Sequence, residues 1–384
     1  MSRCGSFQGR VRPHSCQRAT TASVSAGAKG RICIRRCWHG REEGRPRGPG
    51  HTVSRPSAVR EVPDLSAAPR RLAVLGSPIA HSLSPALHRA AYAELGLDWH
   101  YDRAEVASGE LEQFLAGTTG GTGTGDTGDR PWRGLSLTMP LKREVLPLLD
   151  TVSPLALSLG VANTVVIDDD GRRHGHNTDV DGIVRTVEAH HDARPESATI
   201  LGGGATASSA MWAAWQLGAR SFSVHLRNPM RAGELTSLAS ELGGDISIAP
   251  LTELVTLAPL DFVISTLPGG VADDLPLRPR SGSSILFDVA YEPWPTRVAS
   301  TWSADGGIAF SGLDMLFEQA VSQVRLFTGR AQEERLDDED RVRAAMRAAV
   351  GLPETGSTAA TAATAASTAD AAIASAATTT SPVA

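Results

Sequence analysis

The side chains best suited to moving a proton sit in two short strings. Leu135-Ser136-Leu137-Thr138-Met139-Pro140-Leu141-Lys142 brings hydroxyls and an ammonium off one strand end, and Gly175-His176-Asn177-Thr178-Asp179 ends on a carboxylate. Of the 37 Lys+Arg residues only Lys29 and Lys142 are lysine. Arginine keeps its proton throughout the physiological range, so Lys142 is the one cation beyond the basic leader that could act as a proton donor. Gly160-Val161-Ala162-Asn163-Thr164 adds an amide, and Gly76-Ser77-Pro78-Ile79-Ala80-His81-Ser82-Leu83-Ser84-Pro85 places Ser82 and Ser84 two residues apart at a helix N-terminus. Two hydroxyls and a helix dipole together can receive a carboxylate. Taken singly, each residue also fits a structural role: Ser84 as a helix cap, Asn163 as a turn residue, Asp179 as the N-cap of the next helix. Their joint occurrence ahead of a nucleotide-binding string favours chemistry.

That string is Leu201-Gly202-Gly203-Gly204-Ala205-Thr206-Ala207, a strand end running through GxGxxA into a helix. The first glycine permits the tight turn, the second lets a pyrophosphate approach the backbone, and the small Ala207 allows close packing of helix on strand. Gly202, Gly203, Gly204, Ala205 and Thr206 are therefore expected to hold a dinucleotide. The residue that reads the ribose follows the next strand. Here Arg227, Asn228 and Arg231 stand there instead of Asp or Glu, and two guanidinium groups suit a 2′-phosphate, so NADP is expected rather than NAD. Ser265-Thr266-Leu267-Pro268 and Asp288-Val289-Ala290-Tyr291 end two later strands, where Thr266 and Tyr291 are placed to meet nicotinamide and substrate.

The elements that must position these residues alternate. Strands are expected at 72–75, 99–106, 134–137 and 161–167, with a helix opening at Ser84 and Pro85. This βαβ alternation implies a mainly parallel sheet. A second series follows: a helix from Asp179 to about His190, a strand at 198–201, a helix at 206–217, and strands at 222–226, 261–265 and 285–289. The expected architecture is α/β in two domains: an α/β substrate-binding domain (69–178), a Rossmann-like NADP-binding domain (179–307), and helices (308–350) that complete the fold. Disordered termini are expected at 1–68 and 351–384, and a surface loop at 117–129.

The 384-residue chain has a formal charge of −5 that conceals an asymmetry. Residues 1–60 hold 13 Lys+Arg against 2 Asp+Glu, a charge of +11, and the remainder holds 24 against 40, or −16. An acidic body argues against a nucleic-acid partner. No apolar run approaches the ~20 residues that cross a bilayer. All four cysteines, Cys4, Cys16, Cys33 and Cys37, lie in the basic leader, without the paired CxxC spacing of a zinc site. The body therefore offers no thiol catalyst, and no metal site is expected. The leader is Arg- and Ser-rich and acid-poor, a composition shared by transit peptides and by over-long start assignments. A cytoplasmic protein acting on small molecules, as monomer or homodimer, is the resulting expectation.

The strings GSPIAHSLSP, SLTMPLK, GVANT, HNTD, GGGATASS and SGLDMLFEQA, in this order, resemble the shikimate dehydrogenase family over about residues 71–330. The resemblance implies reversible NADP-dependent reduction of 3-dehydroshikimate to shikimate, on the way to aromatic amino acids. Matched motif by motif, Ser82 and Ser84 would hold the substrate carboxylate. Thr138, Asn163 and Gln319 would bind ring hydroxyls or the reacting region, and Lys142 with Asp179 would form the catalytic pair. It also implies that the helix from about Leu313 returns to the first domain and carries Gln319 to the cleft. Three positions depart from the common pattern: Ser136 stands where many members have Asn, Ser208 where many have Arg, and LRNPMR replaces the commoner NRT string while keeping two arginines. Within the same scaffold the alternative is a quinate or dual quinate/shikimate dehydrogenase; outside catalysis it is a sensor that binds shikimate or nucleotide.

Overall fold

The computed structural model describes residues 68–118, 130–192, 194–256 and 259–353. The expectations for the basic leader, the Ala/Thr-rich tail and most of the loop at 117–129 lie outside these residues.

The first sheet is built from β1 (Arg70–Gly76), β2 (Trp99–Glu105), β3 (Trp132–Leu137), β4 (Thr151–Val152), β5 (Thr164–Ile167) and β6 (Arg173–His176), in the order β2-β1-β3-β5-β6-β4. Helices α1 (Ser84–Glu94), α2 (Leu111–Ala116), α3 (Leu141–Glu144) and α4 (Pro154–Leu159) connect them. Parallel pairs predominate, with two antiparallel pairs among them: β1 pairs parallel with β2 and β3, and β4 with β6, but β5 runs antiparallel to both β3 and β6. The cause is local. Asp168 accepts from the backbone N–H groups of Asp170 and Arg172 and closes a tight turn between β5 and β6, and a turn that short leaves no room for a crossover. Two boundaries shift as well. Ser84 is the first helical residue, with Leu83 at the cap position and no side-chain cap. The strand expected at 161–167 begins only at Thr164.

The second sheet contains β7 (Ser197–Leu201), β8 (Ser221–Leu226), β9 (Asp245–Pro250), β10 (Phe262–Ser265), β11 (Ile285–Asp288) and β12 (Ile308–Ser311), in the order β12-β11-β10-β7-β8-β9. Every pair is parallel. Both faces are covered, by α5 (Asp179–His190), α6 (Ala205–Leu217), α7 (Gly233–Leu242) and α8 (Arg297–Ala304), so central strands such as β10 and β11 are buried throughout. Strand order reverses between β7 and β10, and the glycine turn after β7 opens at that switch point, where doubly wound sheets bind ligands.

Helix α9 (Gly312–Phe327) ties the two sheets together. Its Phe317, Ala320, Val321, Val324 and Phe327 share a core with Leu72, Val74 and Leu87, while Met315 joins the core of Val180, Ile183 and Phe287. At Gly312 a Cβ would overlap the backbone of Val289, so only glycine lets α9 start against the end of β11. Helix α10 (Glu339–Ala349) docks beside α1 through Val342 and Met346.

A buried ion pair anchors α10. Arg325 on α9 reaches both Glu339 carboxylate oxygens at 2.8 and 2.6 Å, and the Leu336 N–H adds a third bond at 3.0 Å. Burial alone would raise the Glu339 pKa, but these bonds outweigh it and bring it down to about 2. The pair therefore contributes stability above the ordinary glutamate value and loses it as pH falls through about 2. Glu339→Ala strands the guanidinium in the core, and is expected to cost about 3–5 kcal/mol in a denaturant titration. A cost within about 0.5 kcal/mol, the range of ordinary surface changes, would show that the pair does not hold the helix.

Candidate active site

A cleft of about 320 Å³ opens between the carboxyl ends of the two sheets. Ser82, Ser84, Thr138, Lys142, Asp179, Thr206, Tyr291 and Gln319 all line it. The fold brings them there from separate elements. Ser82 and Ser84 end the loop after β1 and open α1, and β2 holds that loop: Glu105 accepts from Ser77 Oγ at 2.6 Å and from the Ile79 N–H at 3.1 Å, while Arg103 donates to the Ala80 carbonyl. Thr138 follows β3, and Lys142 sits in the single turn of α3. The Tyr291 turn is fixed by Asp288, which accepts from Thr296 Oγ1 at 2.9 Å and from the Ala290 N–H at 3.3 Å. Burial, with help from Glu292, raises the Tyr291 hydroxyl above its ordinary range and keeps it a hydrogen-bond donor.

Lys142 Nζ donates to Asp179 Oδ2 at 2.6 Å, and the two side chains are only 12% and 3% exposed. Asp179 is the first residue of α5, with Thr178 at the cap position, so its negative charge lies at the positive end of the helix. Its second oxygen accepts from Asn163 Nδ2 at 2.7 Å. The carboxylate is thereby fixed on both sides and the ammonium is aimed across the cleft.

Asn163 does not line the cleft. It is buried behind Asp179, where its Nδ2 also reaches Gln319 Oε1 at 2.9 Å and its Oδ1 accepts the Thr178 N–H at 2.8 Å. The family resemblance implies that Asn163 contacts the substrate; in the structure its amide engages Asp179 and Gln319. Two cleft-lining residues, Ser136 and Gln323, have no role that the sequence assigns. Gln323 lies one helical turn after Gln319, and that i, i+4 spacing is the available signal. A third residue without one is Arg143, beside the lysine. It reaches across to the second lobe, donating to Ser208 Oγ at 3.2 Å and pairing with Glu234 at 2.5 Å. The arginine missing at position 208 is thus met by a guanidinium from the opposite lobe.

The glycine turn fits a pyrophosphate. Gly202 has a φ of +108° and a Cβ there would collide with Thr266 Oγ1. The Ala207 N–H is taken by the Gly204 carbonyl at 3.1 Å, but no side chain caps α6, which leaves the Ala205 and Thr206 N–H groups for an anion. Thr266 has its hydroxyl on the Leu201 carbonyl at 2.8 Å, so it secures the turn between β10 and β7. Asn228 closes its own turn by accepting the Met230 N–H at 3.2 Å. Arg227 and Arg231 are exposed and form no ion pair among the described residues, as a phosphate-binding pair requires. No described group of three or more His, Cys, Asp or Glu could hold a metal ion, and no described helix is long and apolar enough to cross a membrane.

Comparison with known proteins identifies the family. The family model for the shikimate dehydrogenase substrate binding domain matches residues 74–165. The shikimate dehydrogenase (NADP(+)) of Natronomonas pharaonis is 34% identical over 263 residues, which is 67% of this chain and 93% of that protein. Among solved structures, shikimate 5-dehydrogenase of Thermus thermophilus, in complex with NADP(H) and shikimate, is 32% identical, with a TM-score of 0.58 over 73% of this chain and 99% of its own. Quinate dehydrogenase of Corynebacterium glutamicum, in complex with NAD, is 28% identical, with a TM-score of 0.61 over 73% of this chain and 99% of its own. With motifs, cleft and near-complete coverage of these relatives in agreement, the chain belongs to the shikimate dehydrogenase family.

Proposed function

We propose that this protein catalyses the reversible NADP-dependent reduction of 3-dehydroshikimate to shikimate in aromatic amino acid biosynthesis. The observation that carries the reading is the Lys142–Asp179 pair, 2.6 Å apart in a cleft between a substrate lobe and a dinucleotide turn. Residues 69–178 form the substrate domain in this reading, 179–307 the NADP domain, and 308–350 the helices that close back on the first.

NADPH, when bound, supplies the hydride. The residues of this chain then have three tasks. Ser82 and Ser84, at the N-terminus of α1, hold the carboxylate, and Tyr291 closes over it from the second lobe. Thr138 and Gln319 meet the ring oxygens, with Asn163 holding Gln319 and Asp179 from behind. Lys142 faces the reacting oxygen. Negative charge grows on that oxygen as the ketone is reduced, and an ammonium at hydrogen-bond distance both stabilises it and delivers the proton. Asp179 orients the ammonium and can accept from a neighbouring ring hydroxyl. Gly202, Gly203, Gly204, Ala205 and Thr206 receive the pyrophosphate, and Arg227, Asn228 and Arg231 the adenine side. The reading takes the form of a cytoplasmic enzyme working as monomer or homodimer.

The resemblance to a quinate dehydrogenase bound to NAD makes quinate the substrate to exclude. Initial rates with shikimate and quinate, each against NADP and NAD, test the proposal. Shikimate with NADP is expected to be the fastest pair. Faster turnover of quinate with NAD would transfer the chain to the alternative activity, and no turnover of either substrate would leave a binding protein.

A further inference from the structure

From the cleft wall inward runs a buried set of hydrogen bonds whose direction can be read from end to end. It starts at a backbone group. The Thr178 N–H is a fixed donor and meets Asn163 Oδ1 at 2.8 Å, so Asn163 turns its N–H₂ toward Asp179 and Gln319. Gln319 must answer with its oxygen, which accepts from Asn163 Nδ2 at 2.9 Å and from Gln323 Nε2 at 3.3 Å. Gln323 in turn is held by its surroundings. Its Nε2 also reaches Thr164 Oγ1 at 2.9 Å and the Asn163 carbonyl at 3.4 Å, while its Oε1 accepts from Ser136 Oγ at 2.8 Å and faces His88 Nε2 at 3.1 Å.

An amide oxygen only accepts, so the His88 proton lies on Nε2, and Nδ1 is left to accept from the Tyr92 hydroxyl at 3.1 Å. His88 is wholly buried and stacked on Tyr101 at 4.1 Å, and the Tyr101 hydroxyl donates to Ser136 Oγ at 2.7 Å. Burial lowers the His88 pKa to about 3, which keeps the ring neutral and the tautomer defined. One amide edge remains. Gln319 Nε2 donates to no protein atom among the described residues, and Gln319 lines the cleft.

We propose that Gln323, held by His88 and Ser136, is a positioning residue that fixes Gln319 with its oxygen toward Asn163 and its N–H₂ toward the cleft. The site then meets the substrate ring with a donor at Gln319, and an oxygen that accepts is the group it selects. The proposal rests on the functional reading above. It also accounts for Ser136: a hydroxyl is small enough to sit under the Tyr101 phenol and still reach Gln323.

A double-mutant cycle tests it, with kcat/KM for shikimate as the readout and the KM for NADP as the control for folding. Gln323→Met keeps the volume and removes the amide. It is expected to lower kcat/KM about tenfold, as loss of a buried hydrogen-bonding partner does, with the NADP KM unchanged. In a Gln319→Ala background the same change is expected to cost less than about twofold, because a residue acting through another loses its effect when that other is gone. Fully multiplicative losses, or a wild-type rate for Gln323→Met, would overturn the proposal. If Gln323→Met does not fold, His88 supplies the second pair of variants. His88→Gln keeps an N–H directed at Gln323 and is expected to stay well above His88→Leu in kcat/KM; equal rates for the two would count against the relay. An inactive wild-type enzyme would refute the functional reading instead, so the two failures are distinct.

Discussion

Lys142→Ala is expected to lower kcat by about 10²–10⁴, the usual yield of a positioned general acid, or roughly 3–5 kcal/mol in barrier terms. Affinity for shikimate is expected to fall far less, because Ser82, Ser84, Thr138 and Tyr291 still line the cleft. The removed ammonium is held at 2.6 Å from a carboxylate that two other groups fix: Asn163 by its amide, and α5 by its N-terminus. Truncation therefore leaves the rest of the site standing but takes away the proton and the charge that the reacting oxygen needs. Lys142→Arg separates those two contributions. It restores a cation that cannot release its proton, so recovery of most of the rate would assign the lysine a purely electrostatic role. A kcat for Lys142→Ala within about threefold of wild type, in steady-state assays at saturating substrate, would remove the lysine from the mechanism.

The second large effect concerns the cofactor. Replacing both Arg227 and Arg231 with alanine is expected to raise the KM for NADP about 100-fold while leaving the KM for NAD within about threefold, since each charge-assisted bond to a phosphate is worth about 1.5–3 kcal/mol before solvent screening. Both guanidiniums are exposed, so the preference of the parent enzyme should also weaken as salt is added. Equal losses for the two nucleotides would mean that these arginines support the turn rather than read the 2′-phosphate.

The residues that do the chemistry are legible in the sequence because each sits in a short string with its own chemical logic. Lys142 stands out by composition alone, and the glycine turn by its place between strand and helix. What sequence does not disclose are relations between distant parts of the chain. His88 and Gln323 are 235 residues apart in sequence yet share a hydrogen bond, and no local pattern announces such a pair. Nor does a local pattern show that the Asn163 amide joins Asp179 to Gln319, 156 residues away in sequence. Strands at or next to a sheet edge are hidden for a related reason. β6 reads RHGH and β9 reads DISIAP, polar or broken sequences that become strands because a neighbour offers hydrogen bonds. The hairpin closed by Asp168 adds antiparallel pairs to a sheet expected to be mainly parallel. In the sequence Ser136 reads only as a departure from the family's common Asn; in the fold Tyr101 and Gln323 engage it.

The most direct test of the catalytic arrangement is a crystal structure of the wild-type protein with shikimate and NADP bound together. The arrangement requires the shikimate carboxylate on Ser82 and Ser84, and Lys142 Nζ, beside Asp179, within about 2.6–3.2 Å of the hydroxyl that is oxidised. Shikimate seated elsewhere in the cleft, or with its reacting hydroxyl out of reach of Lys142, would contradict it.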